Sequence, residues 1–198
     1  YWKRQLEGCS TLLDFPYDYP RLHNSSGFGD KEWIHFPAGI SSALRKISKN
    51  EGVSLFATMM SAFGILIYKY SGDNDINIGT PVANRGHSSF ENVVGMFVNT
   101  VVIRLRLDQE ITFKNLLRKT NEVILDAINN QDLQFEKIVE IVNPERSSEA
   151  NPVFQVAFAW EDNLSVPLNL GDVKGEQVFI HGGTSPFDIT CSMYDNGE

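Results

Sequence analysis

The succession of helix-like and strand-like patterns leaves few folds open to this chain. From Leu55 to Tyr70, apolar side chains recur every three or four positions, which predicts an amphipathic helix. From Phe154 to Trp160 they recur at every second position, which predicts a half-buried strand. The predicted elements are strands at 32–36, 76–80, 96–107, 153–160, 176–181 and 187–194, and helices at 41–52, 55–70, 112–130 and 135–142. This order predicts an α/β fold: a two-layer sandwich of a mixed β-sheet with helices on one face.

Capping residues mark the ends of three predicted helices. Ser41 or Ser42 stands where it can cap the first of them, and Gly52 stands where that helix would end. Ser54 and Thr112 precede the second and third helices. At such positions a side-chain oxygen accepts a hydrogen bond from a backbone N–H that has no partner within the helix.

Charge and composition exclude several classes of partner. The 198 residues carry a formal net charge of −8 at pH 7, whereas surfaces that bind nucleic acid or anionic membranes are basic. The apolar run at 55–68 is interrupted by polar residues and is shorter than the ~20 residues that a membrane-spanning helix needs. Cys9 and Cys191 form no disulfide framework or metal-binding spacing, which favours a reducing compartment. We therefore expect a cytoplasmic domain that binds neither nucleic acid nor membrane.

Residue chemistry alone supplies no self-contained active site. The four histidines are scattered, and no H-x-x-x-H or C-x-x-C pattern indicates a metal site. The Gly-rich segment 27–29 leads into no capped helix, so it is not a phosphate cradle. The "HGG" segment at 181–183 resembles an oxyanion turn, but no G-x-S-x-G nucleophile elbow accompanies it. His87 is next to Ser88 and Ser89, and neighbours in sequence rarely have the orientation that a catalytic triad requires.

Several ordered stretches resemble the condensation domains of nonribosomal peptide synthetases. "IGTPVANR" followed by "ENVVGMFVNTVVIR" is similar to that family's "IGTPVAGR…IGFFVNTLVLR". "NNQDLQFEKIVE", "ERSSEANPVFQVAFAW" and "SPFDITCSMYD" resemble its "HQDYPFEKLVE", "RDLSRNPLFQVMF" and "SKFDLTLSF". The opening "YWKRQLEG…LLDFPYDYPR" is similar to the stretch that precedes the second lobe of these domains. Asn130, Gln134 and Ala150 replace the usual His, Pro and Arg, which affects local contacts and not the family.

The resemblance implies a lobe with the chloramphenicol-acetyltransferase-like fold. Condensation domains consist of two such lobes, set in a V around a tunnel. Their active-site motif, H-H-x-x-x-D-G, belongs to the first lobe, and this chain contains no His-His pair. We therefore interpret residues 1–31 as the end of an inter-lobe helix and a connector. Residues 32–198 are interpreted as the C-terminal lobe, truncated before its last strand and helix.

The same resemblance implies a part in amide-bond formation. Donor and acceptor carrier proteins deliver substrates on phosphopantetheine arms from opposite ends of the tunnel, and the acceptor amine attacks the donor acyl or peptidyl thioester. The domain itself is expected to bind no cofactor and no metal. Its other expected partners are the N-terminal lobe and a neighbouring adenylation domain. Because the active-site motif is absent, we expect this chain alone to form no amide bonds.

Two surfaces are expected to lose their cover when the lobe is separated from its partner. In the resembling domains, the segment corresponding to 161–186 bridges onto the first lobe. The strand 187–194 would lose the strand that follows it. Because open strand edges and exposed apolar patches favour self-association, we expect a weak homodimer through one of these two surfaces.

Six residues are expected at the floor or wall of the tunnel: Gly79, Thr80, Pro81, Arg85, Asn99 and Thr100. Arg85 matches the Arg that pairs with the Asp of the missing motif and bridges the lobes, a bidentate role that suits a guanidinium group. A buried Asn99 needs hydrogen-bond partners, and either the neighbouring backbone or a pantetheine amide can provide them. Arg104 and Arg106 alternate with apolar residues, which predicts a strand face that reaches solvent. We therefore expect Arg85→Ala to cost more stability or activity than Arg104→Ala.

The other motif residues are interpreted as structural. They are Gln131, Asp132, Phe135, Glu136, Asn151, Pro152 and Asp188. Asp132 precedes the helix 135–142 and is expected to cap it, because a cap explains the spacing without a ligand.

Two alternatives to condensation stay open. The same superfamily includes epimerization and heterocyclization domains, and a noncatalytic docking or interface module is a different class. The "GMFVNT" and "NQD" stretches favour condensation. Residues upstream of Tyr1 distinguish the three functions: an intact H-H-x-x-x-D-G motif, an Asp-rich cyclization motif, or a degenerate motif.

Overall fold

Helices and strands alternate along the chain in nearly the predicted order. The computed structural model describes residues 1–19, 27–108, 110–143, 150–161, 169–171, 173–174 and 180–194. The helices are α1 (Trp2–Gln5), α2 (Ala38–Glu51), α3 (Leu55–Ser71), α4 (Phe113–Asn129) and α5 (Phe135–Val142), with a short 3-10 turn at Ser88–Phe90. The strands are β1 (Asp75–Val82), β2 (Asn99–Arg106), β3 (Val156–Glu161), β4 (Asn169–Leu170), β5 (Val173–Lys174) and β6 (Ile189–Tyr194).

The main sheet is mixed, as the sequence predicts. Within the described residues its order is β2-β1-β3-β6, and β4 pairs with β5 in a separate ribbon. β1 and β2 are antiparallel, whereas β1 with β3 and β3 with β6 are parallel. Parallel neighbours need long crossover connections, and α4 and α5 lie on the crossover from β2 to β3. β2 and β6 are the edge strands of this sheet.

The register assigns each strand residue to one of two faces, because cross-strand partners project to the same side. Ile78 pairs with Ile103, and both are fully buried. Leu105, two residues further on and therefore on the same face, packs against Gly64 of α3. α4 packs against both α3 and β2, and α2 packs against α3. The predicted helical layer on one face of a mixed sheet is thus confirmed.

Helix ends follow local chemistry at most positions. Ser54 accepts a hydrogen bond from Ala57 N, and Thr112 accepts one from Asn115 N, so both predicted N-caps are confirmed. Gly52 ends α2 in the left-handed conformation, with φ 67°. The predicted cap of α2 at Ser41 or Ser42 is wrong. The helix begins at Ala38, with Pro37 as N-cap.

The predicted strand at 32–36 does not form, because no neighbouring backbone pairs with it in the described part of the chain. Residues 31–37 belong to no helix or strand. The Trp33 ring instead lies 5.9 Å from the Tyr194 ring at the end of β6. Of the predicted strand 176–181, residues 176–179 lie outside the described residues, and 180–181 are not in a strand.

The N-terminal segment packs on the sheet. Trp2, Leu6 and Leu13 are buried members of the hydrophobic core. The first part of the predicted helix end and connector, residues 1–31, therefore packs against the core of the described chain at Trp2, Leu6 and Leu13.

Within the described residues, no single helix is long and apolar enough to cross a membrane. α2 and α3 reach the required length and hydropathy only as a pair, and the pair is bent by 108°.

Candidate functional site

Five of the six tunnel candidates meet at one end of the sheet. The ladder pairs Thr80 with Val101, and Pro81 with Thr100. Gly79 lies one residue further into β1, and Asn99 opens β2. The chain leaves β1 here, makes the loop 83–98, and returns as β2. The structure therefore brings the two halves of the "TPVA…FVNT" motif side by side, with Arg85 in the loop that joins them.

Gly79 is required by packing inside the sheet. A Cβ at this position would lie 2.2 Å from Cε2 of Phe154, a buried ring. Phe154 in turn contacts Phe135 of α5 and Phe187 before β6, with ring centroids 5.3 and 5.0 Å apart. Gly79 thus makes room for an aromatic cluster that joins three motifs of the sequence.

Both the nitrogen and the oxygen of the Asn99 side-chain amide are hydrogen-bonded to nearby backbone groups. Its Nδ2 donates to the carbonyls of Gln131 and Leu133, at 2.7 and 2.9 Å. Its Oδ1 accepts from the backbone N–H groups of Thr100 and Phe135, at 2.8 and 3.1 Å. An amide has two donor hydrogens and two acceptor lone pairs, so this set fills its ordinary capacity. Of the two alternatives for Asn99, the structure shows the backbone one.

The bond to Phe135 also corrects the predicted cap of α5. The N-cap is Gln134, which makes no side-chain cap bond, and Asp132 is exposed. Asn99 supplies the acceptor for the first helical N–H from another strand, so Asp132 is not needed there. Gln131 contributes its carbonyl, and Glu136 lies in the first turn, where its charge suits the helix dipole.

The Arg85 side chain holds the loop 83–98 in shape by hydrogen bonds to backbone carbonyls of the same loop. Its Nη1 donates to the carbonyls of Phe90 and Val93, and its Nη2 donates to the carbonyl of Gly95. The guanidinium carbon lies 4.3 Å from the centre of the Phe97 ring. One side chain therefore holds a loop that makes few ladder bonds of its own.

The clamped loop displays apolar side chains to solvent. Val94 is 100% exposed and Met96 is 92% exposed, and Phe90, Val93 and Val98 are also exposed. Large apolar residues grouped in one short loop form the kind of patch that marks an interaction surface. We call these five residues the loop patch.

His87 serves a local purpose in the same loop. Its Nδ1 accepts from Ser89 N at 3.2 Å and lies 2.6 Å from the Ser89 hydroxyl. These contacts cap the 3-10 turn Ser88–Phe90. Across the described residues, no group of three or more His, Cys, Asp or Glu side chains is placed to hold a metal ion.

Arg104 is buried, so the predicted solvent-facing position is wrong. The residue is 5% exposed. Its Nε donates to Asp75 Oδ1 at 2.7 Å, and Nη2 donates to Asp75 Oδ2, so the pair is bidentate. Nη1 donates to the carbonyls of Gln5 and Glu7. These hydrogen bonds to Asp75 raise the pKa of Arg104 above its ordinary value. The alternating pattern identified the correct face of β2, but the N-terminal segment covers that face.

The remaining motif residues surround Gln155, which sequence reasoning did not single out. Gln155 Nε2 donates to the carbonyl of Asn151 at 2.9 Å, and its backbone carbonyl accepts from Asp188 N. Asp188 also accepts from the Tyr17 hydroxyl at 3.0 Å. Pro152 lies between Asn151 and the buried Val153. These contacts join the turn into β3 to the residue before β6.

Comparison with known families identifies relatives along nearly the whole chain. The family described as Condensation domain matches residues 1–197. A linear gramicidin synthase protein of Brevibacillus parabrevis is 39% identical over 203 residues, which is 100% of this chain and 4% of that protein. Malpinin synthetase of Mortierella alpina is 38% identical over 98% of this chain and 2% of that protein. Bacitracin synthase 1 of Bacillus licheniformis is 32% identical over 98% of this chain and 4% of that protein.

Solved structures agree with this result. A four-domain nonribosomal peptide synthetase bound to AMP and glycine superposes with a TM-score of 0.79 at 31% identity, over 81% of this chain and 12% of that one. The condensation domain of the Monacolin K polyketide synthase gives a TM-score of 0.83 at 19% identity, over 98% of this chain and 48% of that one. The second likeness supports the fold alone. This chain thus spans a small fraction of the curated synthetases that it matches.

Proposed function

Because this chain belongs to the condensation-domain family of nonribosomal peptide synthetases, we propose that its parent joins two carrier-bound substrates by an amide bond. The acceptor amine attacks the donor thioester carbonyl, the C–N bond forms as the C–S bond breaks, and the amine proton passes to the released thiol or to solvent. Aminolysis of a thioester is downhill, so holding both reactants end to end provides much of the rate enhancement. The observation that carries this proposal is the family match over residues 1–197.

We assign this chain the role of the C-terminal lobe. The resemblance implies condensation domains of two lobes, and the likeness to the Monacolin K condensation domain covers 48% of that chain and 98% of this one, a share that one lobe would give. The proposed tunnel wall is the end of the β1–β2 pair that carries Thr80, Pro81 and Thr100. Pro81 is exposed and Thr100 half-buried, which supports this role for them, whereas Thr80 is buried within the sheet.

The loop patch is the proposed docking surface for the N-terminal lobe. Val94 and Met96 project into solvent from a loop that Arg85 holds in shape. Covering them would remove apolar area from water, worth roughly 25 cal/mol per Å².

Two N–H donors of Arg85 have no hydrogen-bond partner among the described residues, so they are available for a lobe-bridging contact. Within the described residues its Nε–H and one Nη2 hydrogen make no hydrogen bond, and a guanidinium group holds its donors in a planar fork. A carboxylate, such as the Asp of an H-H-x-x-x-D-G motif, fits this fork in the bidentate manner. We propose that Arg85 both shapes the loop and binds the first lobe.

The proposed partners follow from this role. They are the N-terminal lobe, donor and acceptor carrier proteins with phosphopantetheine arms, and a neighbouring adenylation domain. The lobe itself is proposed to bind no cofactor, and the reaction to take place in the cytoplasm.

The experiment compares this chain with its intact parent. Donor and acceptor carrier proteins loaded with aminoacyl groups are incubated with each, and products are measured by mass spectrometry. We expect dipeptidyl product from the parent only, since the chain contains no His-His pair. Product from the chain above the uncatalysed rate would refute its inactivity. A parent that yields an epimerised or heterocyclic product, or none at all, would favour the alternatives.

A further inference from the structure

Residues Gln5–Asp14, which we call the strap, cross the sheet with almost no regular backbone pairing. The strap begins at the last residue of the four-residue helix α1, and none of its residues belongs to a strand. An irregular segment against a core must have its backbone polar groups satisfied some other way, because unpaired buried groups are costly. Side chains from the strands β1 and β2, and from the residues before β1 and β3, provide those partners.

Two directly paired strand residues hold the first half of the strap. Asn77 of β1 pairs with Arg104 of β2, so both side chains project from the same face. Arg104 Nη1 donates to the carbonyls of Gln5 and Glu7, at 2.9 and 2.8 Å. Asn77 Nδ2 donates to the carbonyl of Ser10 at 3.3 Å and to that of Val153 at 3.0 Å.

Gln155 and Asp73 hold the second half. Gln155 Nε2 donates to the Thr11 carbonyl at 2.7 Å, and its Oε1 accepts from Leu13 N at 2.9 Å. Asp73 Oδ2 accepts from Asp14 N at 2.9 Å. Hydrogen bonds with these four side chains therefore reach the first residue, the middle and the last residue of the strap.

The principal ties are buried. Asn77 is 3% exposed and Gln155 2% exposed. Leu6 and Leu13 anchor the strap in the hydrophobic core, and Trp2, just before it, donates from Nε1 to the Asn130 carbonyl at 3.0 Å. A segment with buried polar ties and buried apolar anchors opens only at considerable cost in free energy, so it moves with the sheet.

We propose that Asn77, Arg104 and Gln155 are positioning residues that make the strap a rigid part of this lobe. Resting on the proposed function, this places the joint between the two lobes upstream of Trp2. The strands that hold the strap also carry Gly79–Pro81 and Asn99–Thr100. The strap thus sets where the preceding lobe attaches relative to the tunnel wall.

Hydrogen exchange tests the rigidity on this chain itself. Gln155→Leu removes two hydrogen bonds to the strap and one to the turn before β3. Ser61→Ala is the matched control, since Ser61 is buried in α3 and its hydroxyl bonds, among the described residues, within its own helix. We expect the amides of residues 8–14 to exchange about tenfold faster in Gln155→Leu, with α4 amides unchanged. If Gln155→Leu does not fold, Gln155→Glu keeps the acceptor for Leu13 and removes both donors. Unchanged strap exchange, equal acceleration in Ser61→Ala, or equal acceleration across α4 would overturn the proposal.

Kinetics of the intact parent test the positioning role. We expect Gln155→Leu to lower kcat several-fold at unchanged KM for the acceptor carrier, and Ser61→Ala to change neither. A rise in KM alone, or unchanged kcat, would overturn the positioning role. A wild-type parent that makes no amide would refute the proposed function, while the exchange data would still decide the rigidity of the strap.

Discussion

At the scale of single residues, the alternating pattern around Arg104 predicts its strand face correctly and its exposure to solvent wrongly. Its alternation with apolar residues is that of a strand with one polar face. The polar face, however, lies beneath the strap, where Arg104 pairs with Asp75 and binds two carbonyls. The expectation that Arg104→Ala costs less than Arg85→Ala depends on a solvent-facing Arg104. Because Arg104 is buried, that reason is wrong.

We predict that Arg104→Ala destabilises the chain by about 3–5 kcal/mol, because it leaves Asp75 and the strap carbonyls without their partner. Arg106→Ala is the matched control on the same strand, and its exposed side chain should contribute within about 0.5 kcal/mol. Urea denaturation followed by circular dichroism measures both. Equal midpoints for the two variants would contradict the prediction.

Gly79 gives a second prediction at this scale. Gly79→Ala places a methyl group against the Phe154 ring, which Phe135 and Phe187 hold in place. Such overpacking should cost about 1–3 kcal/mol. Gly39→Ala is the control, since a Cβ there would meet nothing within 4 Å and Ala favours helix α2. The prediction fails if both variants shift stability in the same direction.

At the scale of elements, Asn99 couples the start of β2 to the start of α5. Three of its four hydrogen bonds hold the turn at 131–135, and one of these three supplies the acceptor that the first N–H of α5 needs. Trp2 holds the preceding residue, Asn130, from the side of α1. The "NQD" motif is thus fixed by contacts from two distant parts of the chain.

We predict that Asn99→Ala costs about 2–4 kcal/mol, because two carbonyls and the Phe135 N–H lose a buried partner. Exchange of the Phe135 amide should also accelerate, and mass spectrometry of the peptide covering 131–138 reports it. Asn121→Ala, at a half-buried position of α4, should leave both quantities nearly unchanged. Normal protection of Phe135 in Asn99→Ala would show that the turn holds without the side chain.

At the scale of the whole molecule, β6 remains an open edge in the described part of the sheet. Ile189 at its start is exposed, and Ile180 before it is 90% exposed. Backbone groups on an unpaired edge can pair with another chain, although a net charge of −8 opposes association.

We predict a weak homodimer at high concentration, with its contact at 187–194 or within 161–186. Sedimentation velocity over a wide concentration range measures it. Ile189→Lys should shift the equilibrium toward monomer, because a charge on an edge strand opposes pairing. Leu125→Lys, at an exposed position of α4, adds the same charge away from this edge and is the control. A single monomeric species at the highest concentrations would refute the prediction.

The family and most helices follow from signals that lie close together in the chain. Ser54 caps the N–H of Ala57, three residues away, and the condensation motifs are short and ordered. Such features depend on local geometry, so a sequence window contains all that is needed to predict them.

Long-range contacts account for what local patterns could not predict. Asn99 is 36 residues from Phe135, Arg104 is 99 from Gln5, and Gln155 is 144 from Thr11. No sequence window contains both partners, so local patterns predict that Asp132 caps α5, where Asn99 supplies the acceptor, and that Arg104 faces solvent. Alternation along a strand shows on which face a side chain projects. What covers that face depends on where the rest of the chain packs.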